Sequence, residues 1–397
     1  MQSQKPERLP ELDALRGLFL VWMTVTHLPT QFSDLVNQPL GFVSSAEGFV
    51  FISAILVGRL YIRGFTAEPR AVRAKLWRRT LKIYLYQLAM LAFAFTVVAQ
   101  IALHTHQAAL LNLLDFYFAH RQTAIIGSLL LFYCPPILDI LPMYIVFLFF
   151  TPLVLMAAVR WGWRWVLAAS CAVWIMAQFG VRILVHNWVV HITHLNIPLQ
   201  ETGAFNLFAW QGVWTVGLWL GAKSATDVVP LSRIPGWVVG LAGAVCLFFV
   251  GVRFGWFGPH LTSQSLGPRL DKWQIGPLRV VNLTAFTIFA YASRGYALKL
   301  IHREPFVTLG KASLRVFCAH IVFVIVGLTM LYGDFDSDGL DQLHGWRAVV
   351  LLAGTFAALI WVASDEVRRK RAQKQRRQDS DCTPESQQPP ALAKTGT

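Results

Sequence analysis

The sequence predicts an all-α, polytopic integral membrane bundle of about ten transmembrane helices, with both termini cytoplasmic. Three observations predict it. Hydrophobic residues make up 55% and charged residues 14% of the 397-residue chain, and mean hydropathy is +0.50. A soluble domain carries about a quarter charged residues. Apolar runs of membrane-spanning length recur along the chain, and the loops between them alternate between Lys/Arg-rich and nearly free of both. The formal charge of +14 would suit nucleic acid, but the basic residues cluster between apolar runs and in the tail. Positive-inside topology accounts for them, so the expected partner is the lipid bilayer and not nucleic acid.

Residues 1–10 read as a cytoplasmic arm, 11–364 as the membrane domain, and 365–397 as a basic tail without structure. The first span ends at Pro29 and is read as retained, because its acidic, Arg-containing start lacks the small-residue cleavage site of a signal peptide. Span two covers about 44–63. The charge run from Arg59 to Lys82 then reads as a cytoplasmic segment whose second half is an interfacial helix leading into span three, about 80–103. Spans four to ten fall near 137–158, 163–184, 204–222, 235–254, 279–299, 306–331 and 346–364. Between them, the stretch 185–203 reads as an outer loop, 255–278 as a Gly- and Pro-rich loop, and 333–345 as an Asp-rich outer loop. Five cysteines form neither a disulfide framework nor a CxxC motif. His186, His191 and His194 lack a supporting carboxylate or cysteine, so no metal site is expected.

The first span, LDALRGLFLVWMTVTHLP, carries the strongest polar signal. Arg16 and His27 stand eleven positions apart, close to three helical turns, which puts both on one stripe about 16 Å apart along the axis. Asp13, Leu20 and Thr24 continue that stripe. A cation, a hydroxyl and an imidazole on one face are expensive in hydrocarbon and must face protein or a wet cavity. The plainer reading makes Arg16 a topology anchor paired with Asp13, and His27 a helix-end cap.

Topology sorts the remaining polar residues by depth. An outer cluster gathers His27, Glu47, Asp139 with Tyr144 below it, Asn206, Gln211, Arg279 and Asn282. An inner zone holds Arg16, Lys311 and Arg315, and His320 lies near the middle of span nine. This arrangement suits acyl transfer across the bilayer. The phosphates of a cytoplasmic acyl-CoA need Arg or Lys at the inner mouth, and an outer hydroxyl needs a base titrating near neutrality. Glu47 would hold the imidazole as a carboxylate does in a triad, with pairing to Arg279 as its plainer alternative. Asp139, Asn206 and Gln211 would hydrogen-bond a carbohydrate, and Trp210 and Trp214 would offer it a stacking face unless they are ordinary belt residues.

These residues resemble a known family. The Arg16-to-His27 helix is similar to the first-helix signature of the acyltransferase-3 superfamily. SSAEGFVFISA, LDILPMYIVFLFFTPLVL at 138–155, FNLFAWQGVWTVGLWLG at 205–221 and LGKASLRVFCAHIVF at 309–323 resemble the OpgC family of osmoregulated periplasmic glucan succinyltransferases. The resemblance implies a bacterial inner-membrane enzyme that takes succinyl-CoA as co-substrate and a periplasmic glucan as acceptor. It implies His27 as catalytic base and Arg16 as part of the acyl-CoA site. Glu47, Asp139, Asn206, Gln211, Arg315 and His320 follow as members of matching blocks. Arg279 is a candidate partner for the succinate carboxylate. Many relatives have Ser-Gly where this chain has Ser53-Ala54. A homodimer or partners in glucan synthesis stay open, as do a proton-coupled glycan transporter or flippase, a membrane-bound O-acyltransferase of the other large family using Asn282 and His320, and a non-catalytic scaffold.

Overall fold

The computed structural model describes residues 9–226, 234–258, 261–301, 303–331 and 342–381. The fold is all-helical: among the described residues no strand forms, and one isolated bridge joins Thr30 to Leu343. Helix α1 spans Pro10–His27, with Pro10 opening it and Glu11 and Asp13 facing the positive end of its dipole. Helix α2 spans Ser45–Ala67, and Glu47 reaches back 2.6 Å to the Ser44 N–H, the carboxylate half of a capping box. Helix α3 spans Pro69–Thr105 without a break, passing through a π segment at Ala94–Val98. The expected interfacial helix and span three are therefore one helix.

Helix α4 spans Ile140–Trp161, α5 Trp163–Gln178 and α6 Val181–Thr193. The fifth expected span is broken: α5 and α6 meet at 81°, where Gly180 takes a φ of +85° that side chains with a Cβ resist. Part of the expected outer loop 185–203 is thus helix. Helix α7 spans Leu207–Ala225, α8 Gly236–Arg253 and α9 Pro277–Ala292. Expected span nine divides at Ala312 into α10, Phe306–Lys311, and α11, Ser313–Thr329.

Helix α12, Gly345–Asp381, runs well beyond the expected end of span ten. Residues 365–381, expected to lack structure, are helical. Pairs one turn apart support this extension, Asp365–Arg369 at 2.8 Å and Glu366–Lys370 at 2.9 Å. Residues 382–397, the arm 1–8 and most of the Asp-rich loop (333–341, with 332 before it) lie outside the described residues. By length and composition five helices among the described residues can cross a membrane, namely α2, α3, α4, α8 and α12, or six if the bent α5–α6 pair is one span. Helices α9 and α11 are apolar but shorter.

Helix α2 sits at the centre, packed along α7 and flanked by α1, α3 and α4, while α1 docks on α10 and α11. Helices α8 and α9 pair to one side with a small separate cluster of Phe42, Phe249, Val252 and Leu270. The α1 stripe faces protein as hydrocarbon cost demands, with Asp13 at 4%, Leu20 at 1% and Thr24 at 0% exposure. Its docking is backbone-close: a Cβ on Gly17 would collide with the Phe306 carbonyl, and one on Gly310 with the Asp13 carbonyl. Ala54 is fully buried against Gly217 of α7, where a Cβ would lie 2.7 Å from the Ala54 methyl. The extra methyl at this position is thus accommodated by a glycine on the facing helix.

Gly310→Ala should force α1 and α10 apart, at a cost of about 1–3 kcal/mol. A thermal scan of the detergent-solubilised protein should melt several degrees below wild type. Gly354→Ala, where a Cβ meets nothing within 4 Å, should not shift the scan; equal melting of both variants would show that the approach is not tight.

Candidate functional site

His27 ends α1 and is exposed, while His320, on α11, is buried at 1% exposure. Their rings stack with centroids 5.6 Å apart, and His27 Nδ1 lies 3.4 Å from His320 Nε2. His320 Nδ1 lies 2.6 Å from the Phe317 carbonyl oxygen. A carbonyl can only accept, so Nδ1 of His320 carries the proton and Nε2 of the neutral ring offers a lone pair. His27 Nδ1–H must then donate to it. The lone pair of His27 is thereby left on Nε2, which has no hydrogen-bond partner among the described residues. An imidazole in this tautomer can accept a proton at Nε2 from a group that approaches it.

Glu47, expected to hold His27, is engaged elsewhere. Arg279 Nε donates to its Oε1 at 2.5 Å and Nη2 to its Oε2 at 3.3 Å, with the Ser44 N–H on the same carboxylate. Glu47 and Arg279 are buried at 0% and 1% exposure, and Arg279 Nη1 also donates to the Leu270 carbonyl at 3.1 Å. The pair ties the start of α2 to α9 and to the loop before it. His320 is the partner of His27, and Arg279 is committed to protein groups instead of standing open to a ligand.

A cavity of about 340 Å³ lies beside the N-terminal half of α1. Its lining holds six cationic side chains, Arg16, Arg79, Lys82, Lys311, Arg315 and Lys370, against the carboxylates Asp13 and Glu366. Such an excess suits a polyphosphate. Arg16 donates to the Ser313 hydroxyl and lies 4.0 Å from Asp13. Arg315 is bound to Glu366 at 2.9 Å and donates to the Tyr86 hydroxyl at 3.3 Å, so α12 closes one wall. Phe49 and Phe317 also line the cavity. Their rings stack at 6.3 Å, Arg16 lies 5.8 Å from the Phe49 ring, and Phe317 meets His320 edge-on at 4.8 Å. A two-ring apolar layer thus separates the cationic cavity from the histidine pair.

The model of the OpgC protein family matches residues 8–371, a stretch that contains the whole of this arrangement. The chain belongs to the OpgC family. Neither a curated protein nor a solved structure matches it.

The other expected ligand-binding residues of this OpgC chain are held by protein groups. Asp139 accepts from the Ala204 N–H at 2.9 Å. Asn206 caps α7 through Phe208 N–H and donates to the Gln274 side chain at 3.2 Å. Gln211 exchanges hydrogen bonds with Ser170 of α5, and Asn282 accepts from the Phe42 N–H at 2.8 Å. Trp210 and Trp214 are buried at 0% and 2% exposure, so neither offers a sugar-stacking face. Tyr144, expected in the outer zone, accepts from Arg79 at 3.3 Å and lines the inner cavity.

Sequence reasoning missed Arg79, Lys82, Tyr86 and Lys370 on the cavity wall. The signal was present in α3, where Arg79, Lys82 and Tyr86 recur at helical spacing, but the charge run read as topology alone.

Glu47→Gln or Arg279→Met should each destabilise the fold strongly, because either leaves a buried group without its partner, a loss of about 3–5 kcal/mol. The double variant should recover much of that in a double-mutant cycle read by thermal melting. Additive losses would show that the two groups are not coupled.

Proposed function

We propose that this OpgC protein is a membrane O-acyltransferase of the bacterial inner membrane, moving a succinyl group from cytoplasmic succinyl-CoA to a hydroxyl of a periplasmic glucan. In this reading ten segments cross the bilayer and both termini are cytoplasmic, which agrees with the alternation of Lys/Arg-rich and Lys/Arg-poor loops. The observation that carries it is the His27–His320–Phe317 relay, which leaves His27 Nε2 as an accessible lone pair at one end of α1 while Arg16 and five further cations gather near the other.

The chemistry follows from that geometry. CoA phosphates sit among the inner cations, with Arg16, Arg79 and Lys82 best placed to hold them. The slender pantetheine arm passes the Phe49–Phe317 layer and presents the thioester near His27. A glucan hydroxyl loses its proton to His27 Nε2 as its oxygen bonds to the thioester carbonyl carbon. The imidazolium that forms is stabilised by its Nδ1–H donating to His320. Collapse breaks the carbon–sulfur bond, and the departing thiolate of CoA takes the proton back from His27. The products are the ester and free CoA, and both histidines end as they began. His320 acts here as a positioning residue.

The test is mass spectrometry of periplasmic glucans from cells lacking the protein, rescued with variants at matched membrane levels. Wild type should restore a succinyl-sized mass. His27→Ala should lose at least about a hundredfold in product, and His320→Ala should lose less, since the base remains but its tautomer is no longer held. Full rescue by His27→Ala would remove the central claim. An unchanged glucan profile in every strain would move the assignment to a glycan transporter.

A further inference from the structure

Helix α6 has 13 residues and leaves α5 at 81°. At 1.5 Å per residue it measures about 20 Å, yet at that angle it advances only about 3 Å along the α5 axis. It adds almost nothing to a crossing that α5 has begun. Helix α5, with 16 residues, covers about 24 Å, against a hydrocarbon core of about 30 Å. It starts beside Arg160, Trp161, Arg164 and Trp165, a basic and aromatic group that suits the inner boundary. Its other end, and with it the length of α6, then comes level with the opposite boundary.

Three faces divide the circumference of α6. One is held by protein. Arg182 donates to the Thr202 hydroxyl at 2.9 Å and to the Gly203 and Ala204 carbonyls at 2.5 and 3.3 Å. One turn on, His186 Nε2–H donates to the Ile197 carbonyl at 2.8 Å, and its ring stacks on Phe132 with centroids 5.6 Å apart. A second face carries Leu184, Trp188 and Ile192 at one-turn spacing, 69%, 64% and 55% exposed, with Val185 beside them. The third carries Asn187 and His191, both exposed. At about 100° per residue the apolar arc and the amide–imidazole arc lie side by side, opposite the pinned face. A helix divided in this way fits a boundary between lipid and water. Arg182 is the one Lys, Arg, Asp or Glu in α6, and the loop takes up its guanidinium. The exposed faces therefore hold no lysine or arginine for acidic headgroups.

We propose that α6 is an interfacial anchor lying in the plane of the outer leaflet, with Leu184, Val185, Trp188 and Ile192 among the acyl chains and Asn187 and His191 towards the aqueous side. Its partner is the apolar part of the bilayer and not headgroup charge. The proposal takes from the reading above that α5 crosses the membrane, and takes nothing of the chemistry. Through Arg182 and His186 the anchor also steadies residues 197–204, the approach to α7.

The experiment places a nitroxide-bearing amino acid singly at Leu184, Asn187, Trp188, His191 and Ile192 of the full chain in phosphatidylcholine nanodiscs. A label at Cys171, exposed halfway along α5, is the deep reference. Depth is read from collisions with dissolved oxygen against collisions with a water-soluble nickel chelate. Leu184, Trp188 and Ile192 should lie within about 3 Å of one depth, favour oxygen, and be shallower than Cys171. Asn187 and His191 should favour nickel. The same pattern should hold in nanodiscs containing phosphatidylglycerol and at high salt. A steady change of about 12 Å from Leu184 to Ile192 would make α6 part of a crossing and overturn the proposal. Nickel access at all five positions would set α6 in water, and shielding of Trp188 from both reagents would mark a protein neighbour; either result overturns it too. So would insertion confined to the phosphatidylglycerol nanodiscs. A shallow label at Cys171 would instead show that α5 does not cross, and the ten-span reading would fall together with the anchor.

Discussion

One carboxylate, Glu47, joins three parts of the molecule. It receives the guanidinium of Arg279 from α9 and the Ser44 N–H at the start of its own helix, while Arg279 also grips the Leu270 carbonyl. The central helix α2, the α8–α9 pair and the loop before α9 therefore share a single buried ionic link. Both groups are removed from solvent, so neither can lose its partner without leaving a charge uncompensated in a low-dielectric interior. That constraint holds the start of α2 against α9.

Helix α1 then distributes the chemistry along its length. Arg16 and His27 share one stripe, but the two ends meet different surroundings. Near Arg16, α3, α10 and α12 bring further cations to a cavity. At His27, among the described residues, α11 contributes a titratable ring within contact through His320. The stacked Phe49 and Phe317 between them are an apolar layer, and Phe317 lends its carbonyl to fix the His320 tautomer. The side chain that lies between the cavity and the histidine pair and the carbonyl that fixes the His320 tautomer belong to one residue.

The close docking of α1 on α10 makes this arrangement depend on backbone contact and not only on side chains. Gly17 and Gly310 face the Phe306 and Asp13 carbonyls where no Cβ fits. Small residues allow such approaches in membrane bundles, where the lipid supplies little hydrophobic drive between helices. The break at Ala312 lets α10 turn onto α1 while α11 carries His320 towards His27.

By itself the sequence determined the helical class, the position of most long helices and the α1 stripe, because hydropathy and helical period are local properties of the chain. Arg16 and His27 were legible for the same reason: two polar side chains on one face of an apolar helix follow from composition and a spacing of eleven residues. Tertiary structure alone decided the partners. Glu47 went to Arg279 and His27 to His320, pairs separated by 232 and 293 positions, a choice that no local pattern encodes. It also decided that Asp139 and Asn206 serve a loop and a cap and that Gln211 ties α7 to Ser170 of α5, because each outcome depends on which neighbour satisfies a buried polar group.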